Sequence, residues 1–230
     1  MLAPPRAGSY FPLMFAAAAC VRPAVVAPAG AFVPAGRDAL AAAERANGPR
    51  GHELTRLTWR FDDGRIQLAG NGSVRTAAPD SLRADIGAAL GLGRATVIAT
   101  GDAIVAEPEH LVDQLVPDRF ALWTVLGYLR APTDGQTIEK SETGTRTAWR
   151  LTDRQGRVTL FDLTGGRLVM VTRETGGRTL TQLQLTRDPG TGAVQRARLT
   201  DYGRSTRLDV AIVRRESSEP FPPEVWRLRR

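Results

Sequence analysis

RLTWRFDDGRIQLAGNGSVR, residues 56–75, alternates apolar and polar side chains on both sides of a short turn. Leu57, Trp59 and Phe61 alternate with arginine and threonine, the period-two pattern of a strand with one buried and one solvated face. Asp63-Gly64 is a pair typical of tight hairpin turns, so the residues after it are expected to return as a second antiparallel strand. The stretch therefore predicts a β-hairpin with an apolar face.

The same pattern recurs along most of the chain. It predicts about eleven strands, nearly all joined by short, glycine-containing hairpin turns. An antiparallel sheet of this width does not stay flat, so we expect a mainly β fold in which a long meander curls into an open trough. The strands predicted beyond the first hairpin are residues 81–86, 94–100, 103–107, 146–152, 157–163, 168–173, 178–186, 194–202 and 206–213.

Two helices are predicted beside the sheet. Residues 37–46, RDALAAAERA, favour a helix that Asn47-Gly48-Pro49 ends. Residues 118–129, DRFALWTVLGYL, follow a proline and are apolar nearly all the way round, with Asp118 as the expected N-cap. Such a helix is buried on most sides. We therefore expect an inserted lid helix that lies against the concave face of the curled sheet.

The N-terminus predicts export. Arg6 precedes the apolar residues 11–19, FPLMFAAAA, the layout of a secretory signal peptide, and the run is too short to span a membrane. Cys20 follows directly and resembles the lipidated cysteine of bacterial lipoproteins. This resemblance implies a signal peptide over 1–19, a lipid-anchored tether rich in proline and alanine over 20–36, and one domain over 37–230. A plain signal peptide, or an apolar N-terminus with a chance cysteine, is the alternative.

Charge and motifs exclude several classes of function. The net charge is +7 and comes from scattered arginines, since Lys140 is the only lysine, and no nucleic-acid-binding motif accompanies it. Attraction to anionic lipid is a second use of this charge. Asp62-Asp63 is interpreted as a turn, and Glu107-Pro-Glu-His110 as a solvated loop. We expect no catalytic residues, no metal site, no cofactor and no nucleic-acid partner.

The order of these elements, from about residue 41 to 214, resembles the bacterial Lol half-barrel family of lipoprotein carriers and receptors. Residues 82–106, LRADIGAALGLGRATVIATGDAIVA, carry most of this resemblance, with a strand, a glycine-rich corner and a hairpin. It implies an open half-barrel with an N-terminal helix and helices that cover the concave face. It also implies an envelope protein of the periplasm. Val21 after Cys20 weakly favours the outer membrane over the inner one.

The largest apolar side chains of the strands and of the lid helix are the candidate ligand-binding residues. In a carrier they line a cavity for an apolar ligand, such as the acyl chains of a lipoprotein or a lipid, and bind it by reversible burial. The expected protein is a monomer, held at the membrane by its lipid anchor. The alternative is an envelope scaffold whose core is filled by these same side chains. The candidates are Leu57, Trp59, Phe61, Phe120, Trp123, Leu126 and Trp149.

Overall fold

The computed structural model describes residues 30–89, 93–101, 103–108, 121–132 and 137–228. Helix α1 covers Arg37–Ala46, as predicted, and its C-cap is Asn47. A short helix, α2, covers Ala121–Thr124, and a 3-10 helix covers Pro223–Trp226. The strands are β1 Val33–Pro34, β2 His52–Asp62, β3 Gln67–Ala77, β4 Ser81–Ala88, β5 Arg94–Thr100, β6 Ala103–Glu107, β7 Thr137–Thr143, β8 Arg146–Thr152, β9 Arg157–Thr164, β10 Arg167–Thr175, β11 Arg178–Arg187, β12 Val194–Asp201 and β13 Thr206–Ser217.

All of these strands belong to one antiparallel sheet. Their order is β1-β7-β8-β9-β10-β11-β12-β13-β2-β3-β4-β5-β6, so β1 and β6 are its free edges. Every neighbouring pair beyond β1–β7 and β13–β2 is a hairpin of consecutive strands. The predicted meander and its open form are confirmed.

The predicted strand count was too low, because β1 and β7 were missed. Strand β7 has the sequence TIEKSET, in which only Ile138 is apolar, so it lacks the alternation that marks a half-buried strand. The side chain of Lys140 takes an inner-face position and lies over the Trp149 ring, 5.2 Å from its centroid. A cation over an aromatic ring thus occupies a position where the pattern requires an apolar residue. Strand β1 has only two residues, and the predicted tether contains both.

The predicted lid helix is shorter in the structure. Residues 118–120 lie outside the described residues, and the helix ends at Thr124 rather than at Leu129. The chain turns at Gly127, which has a φ of +85°, a conformation that glycine adopts without strain. Leu129 is buried beyond this turn in a non-helical conformation. The apolar run predicted burial correctly, but burial on all sides does not require a helix.

One register row runs through the core. It crosses eight neighbouring strands and contains only apolar side chains. Trp149 and Phe61 on this row are separated by six strand spacings, about 29 Å along the sheet. They nevertheless belong to the same hydrophobic cluster as Trp123 of α2, which the sheet encloses by curling. The row is Trp149, Phe161, Val171, Leu183, Leu199, Leu208, Phe61 and Leu68.

Candidate apolar binding site on the inner face

The sheet face that carries the apolar row is called the inner face here. Six of the seven predicted ligand-binding residues lie in its hydrophobic cluster, and each is at most 7 % exposed. The six are Leu57, Trp59, Phe61, Trp123, Leu126 and Trp149, whereas Phe120 lies outside the described residues. The structure thus brings these side chains into one core.

Residues 121–131, the closing segment, cover the inner face. Leu122 and Val125 face apolar side chains of β2, β3, β4 and β13. Further along the segment, a Cβ on Gly127 would lie 2.5 Å from Val194 Cγ2 of β12. The closing segment therefore spans the curl from β4 to β12. Its only glycine stands where the backbone approaches the sheet most closely.

A cavity of about 50 Å³ remains between the closing segment and the sheet. Its lining is apolar throughout. A cavity of about 150 Å³ is needed to hold a molecule as small as benzene. An acyl chain therefore fits here only when the closing segment moves away from the sheet. The lining consists of Leu57, Trp59, Val74, Leu82, Ala84, Ile86, Leu122, Val125, Leu208 and Val210.

Three polar residues, called the polar latch, hold the closing segment on the sheet. Tyr128 Oη donates a 2.6 Å hydrogen bond to Glu53 Oε2 of β2. Arg215 Nη2 of β13 donates a 2.9 Å hydrogen bond to the carbonyl oxygen of Leu126. Arg215 Nε lies 4.0 Å from the same Glu53 carboxylate, and its guanidinium lies 5.4 Å from the Tyr128 ring centroid. Glu53, Tyr128 and Arg215 thus tie both halves of the segment to the seam between β2 and β13.

The environment of Tyr128 keeps its hydroxyl protonated. Burial raises the pKa of Tyr128 to about 12, and the hydrogen bond to Glu53 adds to this rise, while the charge of Arg215 opposes it. Protonation lets the hydroxyl donate to Glu53 throughout the neutral range. The latch is thus a neutral donor, a carboxylate and a guanidinium at the edge of an apolar core.

Helix α1 holds the far end of the closing segment. Leu129 N donates to the carbonyl oxygen of Asn47 at 3.1 Å, and Ala131 N donates to Glu44 Oε1 at 2.7 Å. Leu40, on the buried side of α1, is fully enclosed in the same hydrophobic cluster. Because α1 and the closing segment share these bonds, a displacement of one disturbs the other.

Arg187 of β11 supports the turn at Gly127. Its guanidinium donates to the carbonyl oxygen of Leu168 at 2.7 and 2.9 Å, and to that of Gly192 at 2.8 Å. Burial, with the nearby positive charges of Arg167 and Arg215, lowers the pKa of Arg187. Its Nη2 would lie 3.0 Å from a Cβ on Gly127. A charged side chain thus forms part of the wall against which the closing segment rests.

Sequence reasoning missed these polar groups. Arg215 lies beyond the predicted end of its strand. In addition, the register shifts between Ile212 and Arg214, and this shift brings residue 215 to the inner face. Glu53 and Arg187 stand at strand ends, where alternation is least informative. The partners of Arg187 are backbone carbonyls, which no residue pattern indicates. Only the bulge at Val213, once known, identifies Arg215 as inward-facing.

Other predicted features can be located as well. Asp62-Asp63 form the expected turn: Asp62 accepts a hydrogen bond from Gly64 N at 2.8 Å, and Asp63 accepts one from Ile66 N at 2.6 Å. Glu109 and His110 of the predicted loop lie outside the described residues, as does Cys20. Within the described ranges no group of three metal-ligating side chains is found, and no helix is long and apolar enough to cross a membrane.

Comparisons with known proteins identify the fold. No protein-family model and no curated protein matches the sequence. Among solved structures, a LolA superfamily protein from Nitrosomonas europaea is similar with a TM-score of 0.55 and 14% identity, covering 85% of this chain and 98% of its own. A DUF1329 family protein from Desulfovibrio piger is similar with a TM-score of 0.50 and 7% identity, covering 83% and 95%. These likenesses, over nearly the whole length of both proteins, confirm the predicted resemblance: the chain has the open, curled-sheet fold of the LolA superfamily.

Proposed function

We propose that this protein is an envelope binding protein that takes up an apolar ligand between the inner face of its sheet and the closing segment. The ligand class is the acyl chains of a lipoprotein or of a lipid. The observation that carries this proposal is the wholly apolar cavity beneath a segment that a few polar contacts hold in place. The shared fold with a LolA superfamily protein supports it.

Binding follows from burial of hydrocarbon without covalent chemistry. The cavity wall and the underside of the closing segment together form a continuous apolar surface. Each methylene group that moves from water into such a surface contributes about 0.8 kcal/mol. A ligand therefore compensates for the latch contacts that opening breaks, and release of the ligand lets the latch form again.

A second candidate function is a scaffold of the envelope that binds a partner by its rim and carries no ligand. The small volume of the cavity, about 50 Å³, favours this alternative, because the inner face is then filled by the protein's own side chains. The two candidates differ in one property: only the carrier must open the closing segment to function.

A reversible disulfide tests this property. Since a Cβ on Gly127 would lie 2.5 Å from Val194 Cγ2, the two Cβ atoms come within about 4 Å, a distance that a disulfide spans. The full chain with Cys20→Ser, Gly127→Cys and Val194→Cys is oxidised and mixed with a fluorescent palmitate analogue. We expect no uptake by the oxidised protein and recovery of uptake after reduction. The chain with Cys20→Ser and Val194→Cys alone should respond to neither treatment.

A wrong binding site and a wrong function would give different results in this experiment. Equal uptake by the oxidised and reduced proteins would place binding elsewhere than under the closing segment. Absence of uptake by the protein with Cys20→Ser alone, with its other residues unchanged, would favour the scaffold. Because oxidised and reduced forms carry the same substitutions, the strain of a cysteine at the positive φ of position 127 cancels in the comparison.

We also propose that Cys20 is lipidated and holds the protein at the outer membrane, facing the periplasm, with residues 1–19 removed as a signal peptide. This rests on the sequence, in which Cys20 follows the apolar residues 11–19. The Phe32 ring packs under the Arg150 guanidinium, with 4.2 Å between the ring centroid and Arg150 Cζ. Ala35 N donates a 2.9 Å hydrogen bond to the carbonyl oxygen of Ile138. The last part of the predicted tether thus lies along β7 as the edge strand β1. Cys20→Ser should release the protein from membrane fractions. Retention as firm as that of the parent would exclude lipidation at this residue.

A further inference from the structure

The outer face of the sheet carries a row of small residues between two arginines. The register connects Arg196 of β12 with Ala211, Thr58, Asn71, Gly87 and finally Arg94 of β5. This row crosses six strands, a length of about 24 Å. The side chains in the middle of the row are small, so the longer side chains on both sides of it project further from the sheet. The result is a shallow trough on the face opposite to the apolar cavity.

Two depressions of about 380 and 760 Å³ make up this trough and meet at Thr58. Arg60, Arg196 and Arg198 line the first, and Arg56 and Arg94 line the second. Arg214 is the register partner of Arg56 and stands beside it. All six arginines are exposed. We call this surface the arginine face: Arg56, Arg60, Arg94, Arg196, Arg198 and Arg214.

Half of these arginines have no partner among the residues that the structure describes. Arg198 pairs with Asp209 at 2.6 Å, Arg214 pairs with Glu216 at 2.6 Å, and Arg60 donates to Gln67 at 2.7 Å. In contrast, Arg56, Arg94 and Arg196 form no ion pair or side-chain hydrogen bond within the described ranges. Their planar guanidinium groups are thus available to bind phosphate or carboxylate oxygens in a bidentate manner.

An exposed aliphatic side chain lies among these arginines. Val213, in the bulge of β13, is 66% exposed and lines the second depression. A third depression, lined by Arg75, Arg83 and Arg227, adjoins the second at Asp85. There, Arg83 Nη1 binds the carbonyls of Val225 and Arg227 at 3.0 and 3.1 Å and holds the C-terminal segment on this face. The row of depressions therefore extends from β12 to the C-terminal segment, with Asp85 between the second and the third.

We propose that the arginine face docks on the phosphate layer of an anionic membrane. Its charges are spread over a long open face and are not gathered in an enclosed pocket, so they fit a surface that offers many phosphates rather than one small ligand. An exposed aliphatic group between cations is the combination that the interface between headgroups and acyl chains accepts. Each cation near such a surface strengthens the attraction, which salt weakens.

Vesicle binding tests the proposal. The full chain with Cys20→Ser, which lacks the thiol for an anchor, is sedimented with vesicles of phosphatidylcholine alone or with added phosphatidylglycerol. Binding should require phosphatidylglycerol. Arg56→Gln, Arg94→Gln and Arg196→Gln together should weaken it on the order of 100-fold, without breaking any pair within the protein. Val213→Ser should weaken binding severalfold.

A matched variant controls for net charge. Arg65, Arg154 and Arg178 are exposed, lie at hairpin turns outside the arginine face and form no ion pair or side-chain hydrogen bond within the described ranges; the charge of Arg65 acts on the nearby Asp63, whose pKa backbone hydrogen bonds and this charge lower. Their joint replacement by glutamine removes the same charge and should leave vesicle binding within about threefold. An equal loss of vesicle binding in both triple variants would show that net charge alone causes the loss, and would overturn the proposal.

Two competitors separate the membrane from other anions. Inorganic phosphate should release the protein from vesicles no better than sodium chloride of equal ionic strength, and release at lower concentration would indicate a site for free phosphate instead. Binding to polyglutamate that is tighter than binding to the anionic vesicles would assign the face to an acidic polypeptide. Either result would overturn the proposal.

Discussion

The indole of Trp59 packs against Gly70, its register partner on β3. A Cβ at position 70 would lie 2.8 Å from Trp59 Cζ2 and would also collide with the carbonyl oxygen of Gly87 on β4. The Trp59 Nε1 group donates to the carbonyl oxygen of Asn71 at 3.3 Å. Glycine is thus required where the largest side chain of the cavity wall crosses to the next strand.

Gly70→Ala should destabilise the protein by about 1–3 kcal/mol, because neither a backbone carbonyl nor a packed indole can yield to the added methyl group. Gly87→Ala is the matched control, since a Cβ there meets nothing closer than Asn71 Oδ1 at 3.8 Å. Urea denaturation measures both free energies of unfolding. Equal losses in the two variants would mean that the close approach at Gly70 does not matter.

Tyr128→Phe should make stability less sensitive to alkaline pH. The pKa of Tyr128 is raised to about 12 in the folded protein, so its contribution to stability is complete below about pH 10 and is lost as pH rises through 12. Two pKa units correspond to roughly 2–3 kcal/mol. The difference in unfolding free energy between the parent and Tyr128→Phe should therefore shrink between pH 10 and pH 12. A constant difference over this range would contradict the rise in the pKa of Tyr128 that burial and the hydrogen bond to Glu53 cause.

Replacement by asparagine should change the stability of the protein in opposite directions at Asp162 and at Asp85. Burial raises the pKa of Asp162, opposed by Arg146, and its Oδ2 has no hydrogen-bond partner. Burial also acts on Asp85, but hydrogen bonds from Arg83 and Thr96 and the charge of Arg75 outweigh it and hold the pKa of Asp85 below its ordinary value. Asp162→Asn should therefore stabilise the protein at pH 7 by roughly 1 kcal/mol, and Asp85→Asn should cost about 1–3 kcal/mol.

Acidification provides the check on this pair. A raised pKa means that the contribution of Asp162 is complete below about pH 4 and is lost as pH rises through its folded pKa, so the gain from Asp162→Asn should vanish in acid. The contribution of Asp85 is present above about pH 4 and is lost as pH falls through its lowered folded pKa, so the cost of Asp85→Asn should shrink in acid. Thermal unfolding at pH 7 and pH 3 measures the stability change that each of the two substitutions causes. A gain that persists at pH 3 would show that ionisation of Asp162 is not its cause.

Arg215→Met should accelerate uptake of the palmitate analogue. It removes the hydrogen bond to the Leu126 carbonyl while keeping an apolar side chain beside Tyr128, so the closing segment opens more often. Arg214→Met, one residue earlier and directed outward, serves as the control and should leave uptake unchanged. Stopped-flow fluorescence gives the rates. Equal rates for parent and Arg215→Met would exclude Arg215 from the latch.

The predictable part of the fold is the part that alternates. Strand β2 alternates between buried and exposed residues from Thr55 to Phe61, and Leu57, Trp59 and Phe61 are buried as predicted. Strand β7 was not predictable, because an inward lysine replaces the apolar residues that the pattern requires. Helix α2 ends before the turn at Gly127, where an added Cβ would meet Val194 Cγ2 of β12 at 2.5 Å, a proximity that the neighbouring sequence does not indicate.

The candidate site was predictable only in its apolar half. Large apolar residues indicate a core wherever they occur, and Trp59, Trp123 and Trp149 meet in one. The polar latch joins residues 53, 128 and 215, which no local pattern relates. Whether the core opens depends on the balance between apolar packing and these few hydrogen bonds, and composition carries no information on that balance.

The seam between β2 and β13 also bears on how the chain reaches its fold. It pairs Glu53 with Ser217 and Asp62 with Arg207, residues from opposite ends of the domain, while most other strand pairs are local hairpins. A chain that emerges from its N-terminus must therefore keep the edge of β2 unpaired until the last strand has appeared. Such late, long-range closure slows folding and leaves an apolar strand open to other chains. We therefore expect the nascent chain to need protection by chaperones until β13 arrives.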